Sequence, residues 1–194
     1  MLKITSAAMI GLLVSASAIA NTNIALNKPI TLNGGGWNVG GWVGGVLAPA
    51  ATVNDGVFKN EGHQWDIDTV WWDANYNSGA EIVIDLGGLF SIASFVMQAD
   101  NNDTYRVEYA QAGGGWATAW DVPFSCCYGV VTRDTTLAST IITDTLRITA
   151  TGGDNLYSVS EFQAFGQPVP EPEAYALMLA GLGLVGFAAR RSTR

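Results

Sequence analysis

The chain has 194 residues, 9 Lys and Arg against 17 Asp and Glu, a formal charge of −8 and 48% hydrophobic residues. That length accommodates one ordinary domain plus targeting segments. The acidic balance repels phosphate backbones, which excludes nucleic acid as a partner and disfavours unaided binding of acidic polysaccharides.

In chain order, Lys3, an apolar stretch over 7–14 and the small-residue triplet Ala18-Ile19-Ala20 form the three regions of a secretory signal peptide. It is predicted as an N-terminal helix over 1–20, cleaved after Ala20. The body follows over 21–166 and a tail over 167–194. Setting both ends aside removes four of the nine cations but two of the seventeen acids, leaving 5 against 15, or −10, for the body.

Residues 34–45 are glycine-rich, carry Trp37 and Trp42, and predict a long loop. From there on strand patterns dominate. Residues 80–86 alternate Ile82, Ile84 and Leu86 against Glu81, Val83 and Asp85, and Gly87-Gly88 is expected to end that strand. Further strands are predicted over 91–98, 104–110, 129–132, 139–142, 145–150 and 157–165, with the 113–115 glycine run as a hairpin turn before Trp116. No helical period is sustained between 21 and 166, so short strands at near-regular spacing predict an antiparallel sandwich or barrel.

The two cysteines, Cys126 and Cys127, are adjacent and cannot staple distant strands. A vicinal disulfide, an intermolecular bridge and two thiols all suit them. Of the seven tryptophans, Trp72 and Trp116 are expected in the core or half-buried, whereas Trp37, Trp42, Trp65, Trp71 and Trp120 are expected in loops. Loops at one end of a sandwich commonly carry ligand contacts, and Trp37, Trp42, His63, Trp65 and Tyr128 are the candidate patch. The competing reading has the glycine-rich loop fold back and bury its tryptophans.

Catalysis has little to stand on. His63 is the only histidine, and no Gly-x-Ser-x-Gly elbow occurs. Asp66, Asp68 and Asp73 near Trp65, Trp71 and Trp72 carry the carboxylates a glycosidase needs, but carboxylates and indoles are equally what sugar binding needs.

The tail reads Val169-Pro170-Glu171-Pro172, an apolar run over 174–189, then Arg190, Arg191 and Arg194. About 16 apolar residues make roughly 24 Å of short hydrophobic helix, less than the ~20 residues that span a bilayer, and suit transient inner-membrane insertion with the arginines on the cytoplasmic side. This arrangement resembles the PEP-CTERM sorting signal, which implies export across the inner membrane and processing by the membrane protease exosortase. An ordinary C-terminal anchor has the same composition.

Six pieces in the body resemble, in order, the discoidin or coagulation-factor type C domain. They begin at Asn23-Ile24-Ala25-Leu26-Asn27-Lys28-Pro29-Ile30, Val53-Asn54-Asp55-Gly56 followed by Trp71-Trp72, and Ile84-Asp85-Leu86-Gly87. They continue with Tyr105-Arg106-Val107-Glu108-Tyr109, Leu146-Arg147-Ile148 and Ser160-Glu161-Phe162-Gln163-Ala164-Phe165-Gly166. The resemblance implies an all-β, galactose-binding-like antiparallel jelly-roll β-sandwich, used mainly for carbohydrate, lipid or protein binding. It also implies a structural Ca²⁺ held by Asp55 and Glu161 with the carbonyls of Thr52, Val57 and Ser160, a hard cation wanting six to eight oxygens. The Trp-bearing glycine insertion and the Cys126-Cys127 loop depart from the pattern. The expected function is non-catalytic binding of a glycan or exopolysaccharide in a biofilm matrix, with a self-associating or protein-binding surface component as the alternative.

Overall fold

The computed structural model describes residues 22–76, 79–170 and 172–192; the signal peptide expected over 1–20 and the sorting residue Glu171 lie outside the described residues. Eight strands follow in order: β1 (Thr22–Asn23), β2 (Ile30–Asn33), β3 (Val70–Asp73), β4 (Glu81–Asp100), β5 (Thr104–Ala110), β6 (Trp116–Val122), β7 (Val130–Gly152) and β8 (Leu156–Pro168). A helix, α1 (Pro172–Ser192), ends the chain.

All pairings are antiparallel, along the path β1-β8-β4-β7-β5-β6, with β2 on β4 and β3 on β8. Two strands are long enough to belong to both layers. The first part of β4 pairs with β2 and the end of β7, for example Ile82 opposite Leu32 and Ile148. Its second part pairs with β8 and the start of β7, for example Val96 opposite Gln163 and Asp134. Gly87-Gly88 was expected to end a strand; instead β4 runs through it, with a register shift between Asp85 and Phe90. Gly87 takes φ 74°, which lets the strand bulge and turn a corner without losing its direction. In the same way the three strands expected over 129–132, 139–142 and 145–150 are one strand, β7, of 23 residues.

The alternation read from sequence decides what faces inward. Ile82, Ile84 and Leu86 are fully buried, as are Tyr105 and Val107, and they meet Phe95, Met97 and Phe162 from the other layer. Ring contacts cross between the layers: Phe95 stacks on Trp120 at 6.4 Å, and Trp72 and Tyr157 both meet Tyr105. Trp71 and Trp120, expected in loops, lie on β3 and β6, each an edge strand with one partner, and are buried because their indoles turn inward, Trp71 edge-on to Trp65 and Trp120 stacked on Phe95. Trp116 is half-buried under the Arg147 guanidinium, 4.4 Å from its ring, and Arg147 also bridges Glu81 and Glu108 at 2.8 Å each.

β8 continues to Pro168, two residues past the expected end of the body, and Val169 N–H donates to Leu89 O at 2.9 Å. The tail then departs as α1, whose apolar residues are exposed. α1 is the short hydrophobic helix expected for the tail, but among the described residues no helix is long and apolar enough to cross a membrane, so a transmembrane character for it is not supported. The charges near its two ends, Glu173 and the Arg190-Arg191 pair, shorten the apolar part.

Candidate ligand-binding rim

Antiparallel pairing brings four connections to one end of the sandwich. Asp100 at the end of β4 lies opposite Val130 at the start of β7, Thr104 opens β5 opposite Gly152 at the end of β7, and Tyr105 faces Val122 near the end of β6. The segment before β3 joins them, with Gly62 N–H donating to Val130 O and Val130 N–H to His63 O, each at 2.9 Å. The glycine-rich loop folds over this end. Gly45 is required there, because a Cβ would sit 1.4 Å from the carbonyl oxygen of Asp66.

These loops enclose an open cavity of about 380 Å³. Trp42, Trp65, Tyr128, Asp100 and Asp154 are among its lining residues. Trp42 is 74% exposed and Tyr128 63% exposed, values unusual for rings of that size unless they meet a partner. Polar groups behind them hold the backbone of Trp42 and the hydroxyl of Tyr128. The buried Asp66 carboxylate accepts from Trp42 N–H at 2.7 Å, from Val43 N–H at 2.9 Å and from Gln64 Nε2 at 2.8 Å, while Tyr128 OH donates to Gln64 Oε1. A single bonded chain therefore runs from one exposed ring through Gln64 and Asp66 to the backbone of the other. Burial works against the charge on Asp66, but the Val43 and Trp42 amides and the Gln64 side chain outweigh it and hold its carboxyl below the ordinary range.

Of the five ring and imidazole residues expected to form a patch, the structure brings Trp42, Trp65 and Tyr128 together. Trp65 is a buried wall, 8% exposed, set edge-on to Trp71 at 5.8 Å. Trp37 lies elsewhere: it packs on Trp72 at 5.0 Å, paired with it across an isolated bridge, and its Nε1 donates to Asn33 O at 3.1 Å. His63 is not among the lining residues; its Nε2–H donates to Ile67 O at 2.8 Å and so closes the turn that presents Gln64 and Asp66. Cys126 and Cys127 form a vicinal disulfide, one of the alternatives open at the sequence level, and Cys127 lines the cavity. Asn101 Nδ2 donates to Cys127 O at 3.1 Å and Ser125 N–H to Asn101 O at 2.7 Å, tying the Tyr128 loop to the β4–β5 turn.

The polar floor was not foreseen. Burial pushes the Asp100 carboxyl up to about 7, with the Asp154 charge adding to it, against the Asn101 N–H and the Arg133 charge. Asp103, fully buried behind it, is pushed up to about 8 by burial and by the charges of Asp100 and Asp154. Arg133 pins this turn from beneath, donating to Ala99 O and Asp100 O at 2.7 Å, Pro123 O at 3.0 Å and Asp103 O at 3.2 Å. The available sequence signal was the Asp100-Asn101-Asn102-Asp103 run, a polar turn between two strands.

Of the residues implied as calcium ligands, the Asp55-Gly56 turn and Glu161 are neighbours. Glu161 on β8 is fully buried, accepting from Gly56 N–H at 3.2 Å and Gln163 Nε2 at 3.1 Å. Burial raises its carboxyl to about 7 despite those two bonds, and the Asp55 charge adds to the rise, so the Asp-Gly turn and the last strand are neighbours. Ser160 is the extra residue of a bulge, since Gln98 pairs with Glu161 and Ala99 with Val159. Thr52 closes a 3₁₀ turn through Pro49 O, and Val57 N–H is held by Asp55 Oδ1 at 2.8 Å. A buried carboxylate with only neutral donors and a like charge beside it fits a hard cation. The donor set is lean: among the described residues no group of three His, Cys, Asp or Glu side chains converges, so carbonyls and water would complete the shell.

Comparison with known proteins agrees with this geometry. Residues 168–192 match the PEP-CTERM protein-sorting motif, which marks the chain for export and exosortase-mediated processing to the cell surface or secreted matrix. No characterised protein matches in sequence. Among solved structures the body resembles chitosan-binding module 2 of a chitosanase/glucanase from Paenibacillus sp. IK-5, in complex with chitotriose (20% identity, 74% of this chain and 100% of that one, TM-score 0.50). It also resembles CpGH89CBM32-5 from Clostridium perfringens, in complex with GalNAc-β-1,3-galactose (15%, 75% and 99%, TM-score 0.51). A third is a fucolectin from striped bass, Morone saxatilis, serum (10%, TM-score 0.58), in which 79% of this chain matches 52% of that one. These likenesses establish the fold, the galactose-binding-like β-sandwich expected from sequence.

Proposed function

We propose that the body is a non-catalytic carbohydrate-binding module, and that the rim cavity takes a glycan of the exopolysaccharide or biofilm matrix into which the protein is exported. One observation carries this reading: two exposed rings, Trp42 and Tyr128, stand beside a cavity lined with amides and carboxylates, and one hydrogen-bonded chain joins the Tyr128 hydroxyl to the backbone of Trp42. Flat rings cover the apolar face of a sugar while side-chain amides and carboxylates bond its hydroxyls, and a loop backbone tied down in advance lowers the ordering cost on binding. The solved relatives include modules in complex with chitotriose and with GalNAc-β-1,3-galactose, which supports the same class of ligand.

Two of the three acids that suggested a glycosidase have other work. Asp66 holds the glycine-rich loop, and Asp73 Oδ1 accepts from Asn75 N–H at 2.8 Å at the end of β3. A Ca²⁺ on Asp55 and Glu161, with the carbonyls of Thr52, Val57 and Ser160, belongs to this proposal as a structural ion. When bound, it supplies positive charge to a buried carboxylate and joins the N-terminal turn to the last strand.

The test is a titration of intrinsic tryptophan fluorescence with neutral oligosaccharides. Saturable change is expected, lost in Trp42→Ala. Exposed Val43, Val46 and Phe124 flank the same loops and favour the second reading, self-association. Concentration-dependent assembly in sedimentation, with no response to sugar, would establish that reading in its place.

A further inference from the structure

We propose that the Cys126–Cys127 disulfide is a redox-sensitive clasp on the rim: closed, it holds the backbone that presents Tyr128 to the cavity; opened by a dithiol, it releases that segment and weakens ligand binding. The site therefore reaches full affinity only after the chain has left the reducing cytoplasm. This concerns the regulation of the rim cavity and rests on the carbohydrate reading above.

The loop over 123–129 is pinned on either side of the disulfide by one residue of the β4–β5 turn. Ser125 N–H donates to Asn101 O at 2.7 Å, and Asn101 N–H donates to Gly129 O at 3.1 Å. Gly129 is also packed from behind, since a Cβ there would stand 2.1 Å from the carbonyl oxygen of His63. Between these pins residues 126–128 form an exposed arc, and Cys127, Tyr128 and Gly129 line the cavity. Among the described residues the backbone of that arc is held by one hydrogen bond, from Asn101 Nδ2 to Cys127 O at 3.1 Å; the disulfide is the other restraint. Cys127 takes φ 94°, a conformation that L side chains rarely adopt, and closure of the small ring between adjacent cysteines keeps it there. Opening the ring lets Cys127 return to ordinary φ values. Tyr128 is the next residue, so the change in backbone direction passes straight to its ring, whose remaining tie is the hydroxyl bond to Gln64.

Both cysteines are exposed, so a dithiol in solution reaches either sulfur. Its thiolate attacks one Sγ and displaces the other as a thiolate; the second thiol of the reductant then resolves the mixed disulfide, leaving both protein thiols reduced and the reductant oxidised to a cyclic disulfide. Beyond the cytoplasm the same exchange runs backwards against a disulfide oxidant, which takes up the electron pair and protons of the two thiols. The fold does not depend on the clasp, because it closes no long loop. Its effect is the cost of ordering the Tyr128 segment on binding, about threefold in affinity. By linkage a bound ligand protects the disulfide by the same factor, which makes its reduction potential about 14 mV more negative.

The test is a fluorescence titration of the purified protein with cellotriose, galactobiose and an N-acetylated glucosamine trimer, run oxidised, in excess dithiothreitol and again after reoxidation. Affinity for the sugars that bind should fall about threefold on reduction and return on reoxidation. Tyr128→Ala should bind more weakly and equally in both states, and the Cys126→Ser, Cys127→Ser double variant should ignore the reductant. Chymotrypsin gives a readout that needs no ligand: with the thiols reduced and capped by iodoacetamide, cutting after Tyr128 should be faster than in the disulfide form. Equal sugar affinity in both states, or an undiminished ratio in Tyr128→Ala, overturns this inference and leaves the carbohydrate reading standing. Unaccelerated cutting does the same, as do free thiols at both cysteines in the exported protein. Loss of the circular dichroism signal on reduction overturns it too, because the fold and not the rim would then answer the reductant. Failure of every sugar in both states overturns the carbohydrate reading and this inference with it.

Discussion

Trp71 and Trp72 are neighbours on β3, yet they serve two different regions. Trp72 points into the main core, where it meets Trp37, Tyr157 and Tyr105 at 5.0, 5.4 and 6.2 Å. Trp71 points the other way, into a small cluster with Trp65 and Val130 beneath the rim. The main core is closed by strands of both layers, so nearly every inward side chain is held by paired backbone on two sides. The rim cluster has strand on one side and loops on the other. Three buried side-chain atoms without hydrogen-bond partners, Trp71 Nε1, Arg133 Nε and Ser158 Oγ, fall around this end. Core packing is optimised for closure, whereas the rim accepts cost to hold groups where a ligand reaches them.

The comparison breaks first at Trp72. Trp72→Ala should cost ~3–5 kcal/mol, with a melting temperature lower by about 10 °C or more in circular dichroism. Trp42→Ala should leave the melting temperature within about 1 °C while weakening sugar binding at least tenfold. If Trp42→Ala destabilised the fold as much as Trp72→Ala, the division into core and rim would be wrong.

The junction of Asp55 and Glu161 sharpens the contrast in a different way. Asp55→Ala should lower the melting temperature in Ca²⁺ by several degrees and leave it unchanged in EDTA. An equal drop in both conditions would remove the ion from the account and leave Asp55 as the turn residue that holds Val57 N–H.

Asp100 and Asp103 give the rim a pH signature that the apolar core lacks. Both carboxyls are raised in the folded state, to about 7 and about 8 from an ordinary 3.8, so the folded protein holds protons that the unfolded chain releases. Their contribution is therefore fully present below the unfolded value and lost as pH rises through 7 to 8. The melting temperature should fall between about pH 5 and pH 9, and Asp103→Asn should flatten that slope; a melting temperature that rises over the same interval would reverse the assignment.

The smallest effect is expected at the vicinal disulfide. Replacing both Cys126 and Cys127 by Ser should weaken ligand binding about two- to threefold through the neighbouring Tyr128, with little change in melting temperature, because the bridge closes no long loop. A large loss of stability would show that the 123–129 loop supports the core as well as the rim.

Much of the sandwich was legible residue by residue. Alternation over 80–86 named the buried Ile82, Ile84 and Leu86, and Tyr105 and Val107 are buried at the same two-residue spacing in the strand predicted over 104–110. Strand ends were misread where glycine intervenes, because Gly87 marks a stop and a bulge equally well in sequence, and only pairing on both sides of it tells them apart. Tryptophans were the hardest to place. Trp120 precedes Asp121 and Trp71 stands in a short run that ends at Asp73, so both read as loop residues although both lie on strands and are buried. At the rim, exposed rings carried a signal and their supports did not: Gln64 and Asp66 lie more than 20 residues from Trp42, and Asp100 and Asp154 come from different turns.

Local chemistry along the chain determined the sorting tail, the all-β class, the acidic charge and the presence of aromatic loops, since each follows from residues close in sequence. Tertiary structure alone decided which loops share an end, which acids lose water and which tryptophans turn inward. Those outcomes depend on antiparallel pairing between residues far apart in the chain, and on the dielectric that the resulting burial creates around them.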